Sequence, residues 1–500
     1  MKNSQTTNAR KSDFMQRLAT YSKVCFIALA VGLGACKDDD VEEITPGVDG
    51  PGEIVEIQAG NITQNTTWTA DKIYRLNGYV RVGTDPVVTG QPTATATLTI
   101  EPGTVIIGDR ESKGTLIIQR GSKIIAKGTK EKPIVFTSER APGLREPGDW
   151  GGVVICGFAH NNLPSGVGEL EGGYGAFYGG TNDDDNSGEL TYVRIEYAGI
   201  PINPNQEVNS LTMGSVGRGT KIENIMCSYG LDDSFEWFGG TVNAKNLIAY
   251  RGLDDDFDMD AGYTGRLQFI LGVRDPRAAD QSGSNGFEVD NDGDGSTNTP
   301  FTAPQVSNAT ILGGKATTAT ALHTQFQNGA HLRRNTKIKI YNSFITGYPN
   351  GIYIDGSSTV QNATNNELQV KNTILAGVDR WGGNGYGSAS ADGSVAQHPN
   401  APRGKALTTN QADFDINAWF MAADKNNQML AKWQDAGIDG SLFELGTPKV
   451  TPTAGSMLMS GASFAELTGF ESVEYRGAFG TVDWTEGWAA WDAATREYLK

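Results

Sequence analysis

Three related segments within residues 228–295 constrain the fold of this chain more than any other feature. The first two copies are offset by 22 residues, as Phe235 and Phe257 show, and Phe287 opens a third copy after a longer loop. A strand-like repeat of this length, punctuated by glycine, is typical of a solenoid in which each copy stacks on the one before it. We therefore predict that the three segments lie on successive rungs of one solenoid.

Stacking of the copies predicts a ladder of acidic side chains. The expected pairs are Asp232 with Asp254, Asp233 with Asp255, Glu236 with Asp258, and Asp258 with Glu288. Neighbouring strands lie about 4.8 Å apart, and two carboxylates at that distance repel by about 3.5 kcal/mol at an effective dielectric constant of 20. Because a bound cation is the most economical way to remove this repulsion, the pattern predicts a metal site.

The N-terminal residues are typical of an exported bacterial lipoprotein. A basic stretch that includes Arg10 precedes the apolar residues 24–33, which are too few for a typical membrane span. The sequence Leu33-Gly34-Ala35-Cys36 resembles a lipobox and predicts cleavage before Cys36 with lipid on its thiol. We therefore expect a signal peptide over 1–35 and a flexible tether over 36–53.

The residues after Cys36 suggest a location. Lys37-Asp38-Asp39-Asp40 resembles the export signal of surface lipoproteins in the Bacteroidota, which places the protein in the outer membrane, lipid-anchored and facing outward. The net charge of −17 argues against nucleic acid as a partner and against direct docking on anionic lipid.

A second ladder consists of asparagines, each placed before an apolar run. They are Asn224, Asn246, Asn308, Asn342 and Asn372, with Gln268 expected to take the same position in one rung. Asparagine tolerates the left-handed backbone conformation, and stacked amides hydrogen-bond to their neighbours. We interpret the set as a structural ladder at a turn. Cys156 and Cys227 also lie in apolar runs, as buried free thiols or as a disulfide, and the sequence does not choose between them.

The short apolar runs separated by glycine and polar turns predict strands throughout the central region. Residues 114–138, followed by Trp150-Gly151-Gly152, resemble the right-handed parallel β-helix proteins of the pectate-lyase-like superfamily, and the resemblance extends over roughly 90–380. The Asp-Asp-x-Phe rungs and the ending 475–488 also resemble a group of surface lipoproteins. The resemblance implies an all-β fold, with a parallel β-helix over 54–390.

The pattern changes after about residue 390, and we expect a short C-terminal cap of mixed helical and irregular structure over 391–500. Residues 411–429 show helical spacing of apolar side chains, and Trp484, Trp488, Trp491 and Tyr498 follow. A solenoid must cover its open end, which favours a capping role. The same aromatic residues could instead form a platform on which sugar rings stack.

Two groups of carboxylates are candidate calcium ligands. Asp290, Asp292 and Asp294 fit the first half of a calcium loop, although Phe301 stands where an EF-hand has its final glutamate. In the second group, Asp256, Asp258 and Asp260 are expected to share one face of a strand beside Glu236 and Glu288.

Enzymatic function has weaker support. A calcium-dependent polysaccharide lyase needs a basic residue to abstract a proton, and Arg274 lies in a short stretch similar to a lyase motif. Asp254 and Asp255 resemble the Asp-Asp motif of polygalacturonase-like hydrolases, but the companion motifs are missing.

These observations favour a surface-anchored, non-catalytic binding protein with calcium in its scaffold. We expect it to bind a polysaccharide or another extracellular ligand and to work with a TonB-dependent outer-membrane transporter. A lyase or hydrolase and an adhesin remain alternatives, and the sequence does not identify the ligand.

Overall fold

The computed structural model describes residues 52–85, 87, 93–204, 206–317, 319–377, 406–444 and 446–499. The predicted signal peptide, Cys36 and nearly all of the tether lie outside these residues, as does the boundary expected at 390. No helix within the described ranges combines the length and the apolar character that crossing a membrane requires.

Strands dominate the described chain. They are β1 (Glu53–Ile62), β2 (Thr66–Trp68), β3 (Lys72–Val82), β4 (Thr97–Ile100), β5 (Val105–Gly108), β6 (Thr115–Ile118), β7 (Lys123–Lys127), β8 (Ile134–Ser138), β9 (Val153–Cys156), β10 (Gly168–Glu169), β11 (Phe177–Tyr178), β12 (Gly188–Glu196), β13 (Pro201–Asn203), β14 (Gln206–Glu207) and β15 (Leu211–Gly214). They continue with β16 (Lys221–Ser228), β17 (Phe235–Phe238), β18 (Asn243–Tyr250), β19 (Phe257–Asp260), β20 (Arg266–Val273), β21 (Phe287–Val289), β22 (Gln305–Leu312), β23 (Asn328–Leu332), β24 (Lys339–Tyr341), β25 (Phe344–Thr346), β26 (Asn350–Ile354), β27 (Gln369–Lys371), β28 (Ile374–Ala376), β29 (Leu407–Thr409) and β30 (Gln428–Leu430).

Helices are short. The α-helices are α1 (Ser357–Thr364) and α2 (Ile416–Phe420), and the 3-10 turns are Ala423–Lys425, Trp433–Ala436, Gly440–Phe443 and Met457–Met459.

Twenty-six strands pair in parallel to form a right-handed parallel β-helix, as the sequence predicts. The strands stack in three columns. Face 1 contains β6, β9, β15, β17, β19, β21, β23, β26 and β29. Face 2 contains β4, β7, the first halves of β12, β16, β18, β20 and β22, and then β24 and β27. Face 3 contains β5, β8, the second halves of the same long strands, and then β25, β28 and β30.

The turn between face 2 and face 3 carries the asparagine ladder. All five predicted asparagines have positive φ, between 51° and 58°. Phe269 (φ 56°), and not Gln268, occupies this position in its rung, so the placement of Gln268 was wrong by one residue. The ladder also continues to Asn426 (φ 51°), whose amide donates to Asn372 Oδ1 at 3.2 Å. Asparagine is common here because its short polar side chain tolerates the left-handed region.

The interior of the β-helix holds a continuous apolar core. Face 3 is apolar on its outer side as well, because Ile248, Leu271 and Leu312 contact a second cluster that includes Trp488 and Leu458. Strands that are buried on both sides read as continuous apolar runs instead of alternating ones. The residues 433–499 that supply this outer layer are called the C-terminal cover below.

The C-terminal cover runs along the side of the solenoid. The Ser463 amide donates to Asn342 Oδ1 (2.8 Å), the Glu471 amide donates to Gln268 Oε1 (2.9 Å), and the Tyr498 hydroxyl donates to Glu196 (2.7 Å). Residues 433–499 were predicted to cap the open end of the solenoid. They instead form a layer along its side, which runs from the last rungs back towards the first.

Three further expectations about this region need correction. Strands β29 and β30 still pair with face 1 and face 3, so rungs continue past 390. The helix expected over 411–429 is confined to α2. Trp488 and Tyr498 are buried, and Trp491 packs edge-on against Tyr250 at 5.0 Å, so these aromatics do not form an open platform. Cys156 and Cys227 are buried free thiols, and burial raises the pKa of Cys156 to about 12.

Candidate functional site

The candidate site begins with the alternation of side chains in face 1. Three phenylalanines point inward and stack, with ring centroids 5.4 and 5.7 Å apart: Phe235, Phe257 and Phe287. Because successive side chains of a strand point to opposite sides, the next residue in each strand points outward. Glu236 is paired in register with Asp258, and Asp258 with Glu288, as the 22-residue repeat predicts.

The turns before these strands add a second row of carboxylates. Asp233 Oδ1 accepts the backbone amide of Asp255 in the next rung at 2.8 Å. Asp255 in turn accepts the backbone amide of Asn285 in the rung after that. Each turn is therefore tied to its neighbour through an aspartate, which holds the acidic rows in alignment.

Seven carboxylates come close enough to share cations. The three groups whose ligand atoms lie within 4.8 Å of one another are Asp232, Asp233 and Asp254; Asp233, Glu236 and Asp258; and Asp255, Asp258 and Glu288. Neighbouring groups share Asp233 and Asp258. The carboxylates thus form one continuous row.

A cleft with a volume of about 600 Å³ lies over this row. Its lining carries the carboxylates of Glu171, Glu207, Asp232, Asp233, Glu236, Asp254, Asp258 and Asp280, and no lysine or arginine within the described part of the chain. Glu171 follows β10 and Glu207 ends β14, so the two hairpins of the structure supply one wall, while the loop after β20 supplies Asp280. We call this site the acidic cleft.

The environment of the acidic cleft disfavours ionised carboxylates. Burial, together with Glu207 and Glu171, raises the pKa of Asp232 to about 8. Burial is also the main reason why the pKa values of five more carboxyl groups lie well above their ordinary range: Asp233, Glu236, Asp254, Asp255 and Asp258. Near neutral pH these groups must either hold protons or share a cation.

One end of the row is already neutralised. Burial alone would raise the pKa of Glu288, but Arg333 and His331 lower it to about 2. His331 Nδ1 lies 3.6 Å from Glu288, and Arg333 forms an ion pair with the same carboxylate. The other carboxyl groups of this row, by contrast, have no ion pair with a lysine or arginine among the described residues.

Several oxygens of the cleft are buried without a hydrogen-bond partner. They include Oδ1 of Asp254, Oδ1 of Asp258 and Oδ1 of Asn209, and Asn209 is only 5% exposed. The Asn209 amide nitrogen donates to Glu236, which directs the unpartnered oxygen of Asn209 into the cleft region. Buried oxygens without donors suit a hard cation, because such cations take six to eight oxygen ligands.

The predicted calcium loop has a different structure. Asp290 is buried in ion pairs with Arg333 (2.8 Å) and Arg334 (2.7 Å). Asp292 closes its own turn by accepting the backbone amide of Ser296 at 2.9 Å. Within the described residues, none of the three carboxylate groups includes Asp290, Asp292 or Asp294. The carboxylates of this loop do not converge on one point, because Asp290 pairs with two arginines and Asp292 accepts a hydrogen bond within its own turn.

Asp256 and Asp260 also lie outside those groups. Asp256 does not share a face with Asp258, because it is fully buried with Arg274 (2.9 Å) and the Tyr348 hydroxyl (3.1 Å). Asp260 is on the outer side of β19 but contacts the Ala261 amide, and burial and Asp290 raise its pKa to about 7.

The three catalytic candidates, Asp254, Asp255 and Arg274, do not come together in one site. Asp254 and Asp255 belong to the acidic row, but the side chain of Arg274 is 0% exposed. Its guanidinium donates to the carbonyl oxygens of Asp254 and, at 3.0 Å, of Leu253, and lies over the Phe326 ring. Arg274 therefore supports the turn from inside the solenoid and does not reach a substrate in the cleft.

Sequence reasoning missed Glu171, Glu207, Asn209 and Asp280. These residues lie outside the 22-residue repeat, on loops and hairpins, and carry no periodic signal. The predicted ladder already paired Asp232 with Asp254 and Asp233 with Asp255, but the two groups of candidate calcium ligands left these four residues out.

Comparison with known families agrees with this architecture. A family model described as a pectate-lyase like beta helix domain matches residues 60–421. No curated protein and no solved structure matches the chain.

Proposed function

Since the chain belongs to the family of pectate-lyase-like β-helix domains, we propose that it is a binding protein whose acidic cleft holds calcium and presents it to an extracellular ligand. The observation that carries the proposal is the lining of the cleft, where eight carboxylates face one another and the described residues include no lysine or arginine. Buried oxygens without partners in the same cleft support a cation over protons alone.

The cation would be held by two adjoining groups. Asp232, Asp233 and Asp254 would supply oxygens at one end, and Asp233, Glu236 and Asp258 at the next position. Asn209 Oδ1 adds a neutral oxygen. We favour calcium over magnesium, because calcium accepts an irregular set of six to eight oxygens whereas magnesium demands near-ideal octahedral geometry.

The proposed ligand is a polysaccharide with carboxylate groups. The cleft would repel such a ligand unless a cation bridged the two negative surfaces. Its volume of about 600 Å³ is within the range of small-ligand sites.

Binding is favoured over β-elimination by the position of Arg274. Proton abstraction from a uronate needs a base at the substrate, and Arg274, the arginine with a lyase-like motif, is enclosed with Asp256. The polar side chains of the cleft are carboxylates, two amides and the hydroxyl of Ser282, which can bind and orient a ligand through a cation.

The proposed location is the outer face of the outer membrane. The support is the lipobox ending at Cys36 and the acidic residues that follow it. There the protein would deliver its ligand to a TonB-dependent transporter.

Isothermal titration calorimetry can test the cleft directly. Metal-free protein should bind calcium more tightly than magnesium, and Asp258→Asn should weaken calcium binding. Calcium should then add a binding event for oligogalacturonate that both excess EDTA and Asp258→Asn remove. Equal calcium binding by wild type and Asp258→Asn would place the cation elsewhere, and oligogalacturonate binding that calcium leaves unchanged would separate the ligand from the cation.

A glycoside hydrolase is the second candidate, because two neighbouring carboxyl groups have opposite pKa shifts. Burial and Glu236 raise the pKa of Asp258, whereas Arg333 and His331 overcome burial and lower that of Glu288 to about 2. A protonated acid beside an ionised carboxylate is the arrangement that glycosidases use. Release of reducing ends from a polysaccharide, lost in Glu288→Gln, would favour this function over binding alone.

A further inference from the structure

A second cavity lies on face 2, where the outer surface is basic. Its volume is about 360 Å³, and its lining includes Arg218, Lys221, Glu223, Lys245, Arg266 and Phe470. Four of these side chains are cationic and one is acidic, in a chain whose net charge is −17. We call this cavity the basic groove.

The strand register explains why the cations lie together. Glu223 is paired with Lys245, and Lys221 with Asn243, at the start of β16 and β18. The backbone amide of Arg266, at the start of β20, donates to Asn243 Oδ1 at 3.0 Å. Three successive rungs, about 4.8 Å apart, therefore bring basic side chains to one side of the solenoid.

Three of the cations have nearby carboxylates. Lys221 Nζ lies 3.2 Å from Glu189 and 3.3 Å from Glu223, and Lys245 Nζ lies 3.8 Å from Glu223. Arg218 pairs with Asp184 at 2.9 Å. The side chains of Arg218, Lys221 and Lys245 are 39–48% exposed, so each remains open to a ligand.

Arg266 differs from these three. Among the described residues, its guanidinium has no carboxylate within ion-pair distance, and its buried Nε has no hydrogen-bond partner. Gly469 of the C-terminal cover packs against it so closely that an added Cβ would lie 2.8 Å from Arg266 Cζ. The guanidinium is thus held at the groove without a counter-charge, and an unpaired arginine fork matches a planar or tetrahedral oxyanion.

We propose that the basic groove binds an anionic saccharide through its carboxylate or sulfate groups, with Arg266 as the main anchor. Lys221 and Lys245 would add charge on neighbouring rungs, and Phe470, which also lines the groove, would offer an aromatic surface to a sugar ring. Binding in the basic groove would need no calcium, because lysine and arginine side chains supply the positive charge. The proposal is therefore independent of the function proposed for the acidic cleft.

Calorimetric titrations in excess EDTA test the proposal with three probes: a chondroitin sulfate hexasaccharide, hexagalacturonate and inorganic sulfate. At least one oligosaccharide should bind, and binding should weaken as ionic strength rises, because salt screens exposed charges. Comparing the two oligosaccharides distinguishes sulfate from carboxylate recognition. Inorganic sulfate should bind much more weakly than the preferred oligosaccharide, and equal affinity would overturn the assignment to a saccharide.

Substitutions inside and outside the basic groove test whether the oligosaccharide binds there. Arg266→Gln should weaken the preferred oligosaccharide by about tenfold or more, which corresponds to about 1.4 kcal/mol, and Arg266→Lys should restore part of the affinity. Lys449→Gln removes an equal charge from a side chain that is 79% exposed and outside the groove, and should change nothing. Equal melting temperatures would show that the variants are folded. The proposal is wrong if neither oligosaccharide binds, or if Asp258→Asn abolishes binding while Arg266→Gln does not.

Discussion

Replacing Asp258 with asparagine should have opposite effects on stability with and without calcium. Asp258 belongs to two of the three carboxylate groups, and its Oδ1 is buried without a hydrogen-bond partner. Without a cation, the substitution removes a charge that Asp233 and Glu236 repel. With calcium, the same substitution removes a ligand. A purely structural aspartate would destabilise the protein under both conditions when it is replaced.

The expected size follows from the geometry. Two carboxylates 4.8 Å apart repel by about 3.5 kcal/mol at an effective dielectric constant of 20. Since some of the groups hold protons instead of charge, we expect Asp258→Asn to stabilise the calcium-free protein by about 1 to 3 kcal/mol. In calcium, a hundredfold excess over Kd stabilises the wild type by about 2.7 kcal/mol, and the variant should lose most of this.

The dependence of folding stability on pH provides a second test of the acidic cleft. The pKa of Asp232 rises from 3.8 to about 8, mainly because of burial. A carboxyl group with a raised folded-state pKa contributes stability at low pH that is lost as pH rises towards about 8. At pH 7 this one group therefore makes the calcium-free protein less stable than it is at pH 4. The stability of the calcium-free protein should fall between about pH 4 and pH 8, and the stabilisation by calcium should grow over the same interval.

Differential scanning calorimetry in EDTA and in calcium measures all three effects. For a cooperative unit of roughly 450 residues, 1 kcal/mol corresponds to a shift of about 1 °C in Tm. Asp294→Asn is the matched control, because Asp294 is exposed and belongs to the predicted calcium loop instead of the cleft. The reasoning fails if Asp294→Asn blunts the calcium response while Asp258→Asn does not, or if Asp258→Asn destabilises the protein in EDTA.

Three further predictions concern the scaffold, the anchor and catalysis. Asn342→Leu should destabilise the fold by about 1–3 kcal/mol in thermal melts, because Asn342 is fully buried and bonded to Ser307 and Ser463, whereas Lys449→Gln should leave Tm unchanged. Cys36→Ala should abolish acylation, measured by labelled palmitate, and replacing 37–40 with alanine should keep the lipid but protect the protein from protease added to intact cells; resistance of the wild type to that protease would contradict the surface location. Polygalacturonate with calcium should give no unsaturated product by ultraviolet absorbance, and an activity that disappeared in Arg274→Lys would argue for a lyase.

Periodic features of the fold were predictable from the sequence. The 22-residue offset between Phe235 and Phe257 sets the register of face 1, so the pairing of Glu236 with Asp258 followed from counting residues. The asparagine ladder was also predictable, because one residue type recurs where the backbone turns left-handed. Tyr192 and Phe269, which occupy the same turn with positive φ, were not predictable, because neither is a residue type that favours this conformation.

Features that depend on contacts between distant segments were not predictable. Asp290, Asp292 and Asp294 have the spacing of a calcium loop, but Arg333 and Arg334 from a later rung already pair with Asp290. Asp256 precedes β19, and its direction depends on the buried Arg274, which no local pattern reveals. The same limit applies to the hairpin residues of the acidic cleft.

The Glu288 end of the acidic row shows how the chain can neutralise such carboxylates itself. At Glu288 and Asp290 the chain supplies its own cations, Arg333 and Arg334, and no external ion is needed to maintain the fold. A stack of carboxylates is therefore not an unavoidable result of the repeat, because an arginine on a neighbouring rung can neutralise it. Between Asp232 and Asp258 the described residues of the lining include no such arginine, and the surface opens into a cleft. Carboxylates without an arginine partner therefore line a concave surface, which favours a role in ligand binding over a purely structural role for the proposed cation.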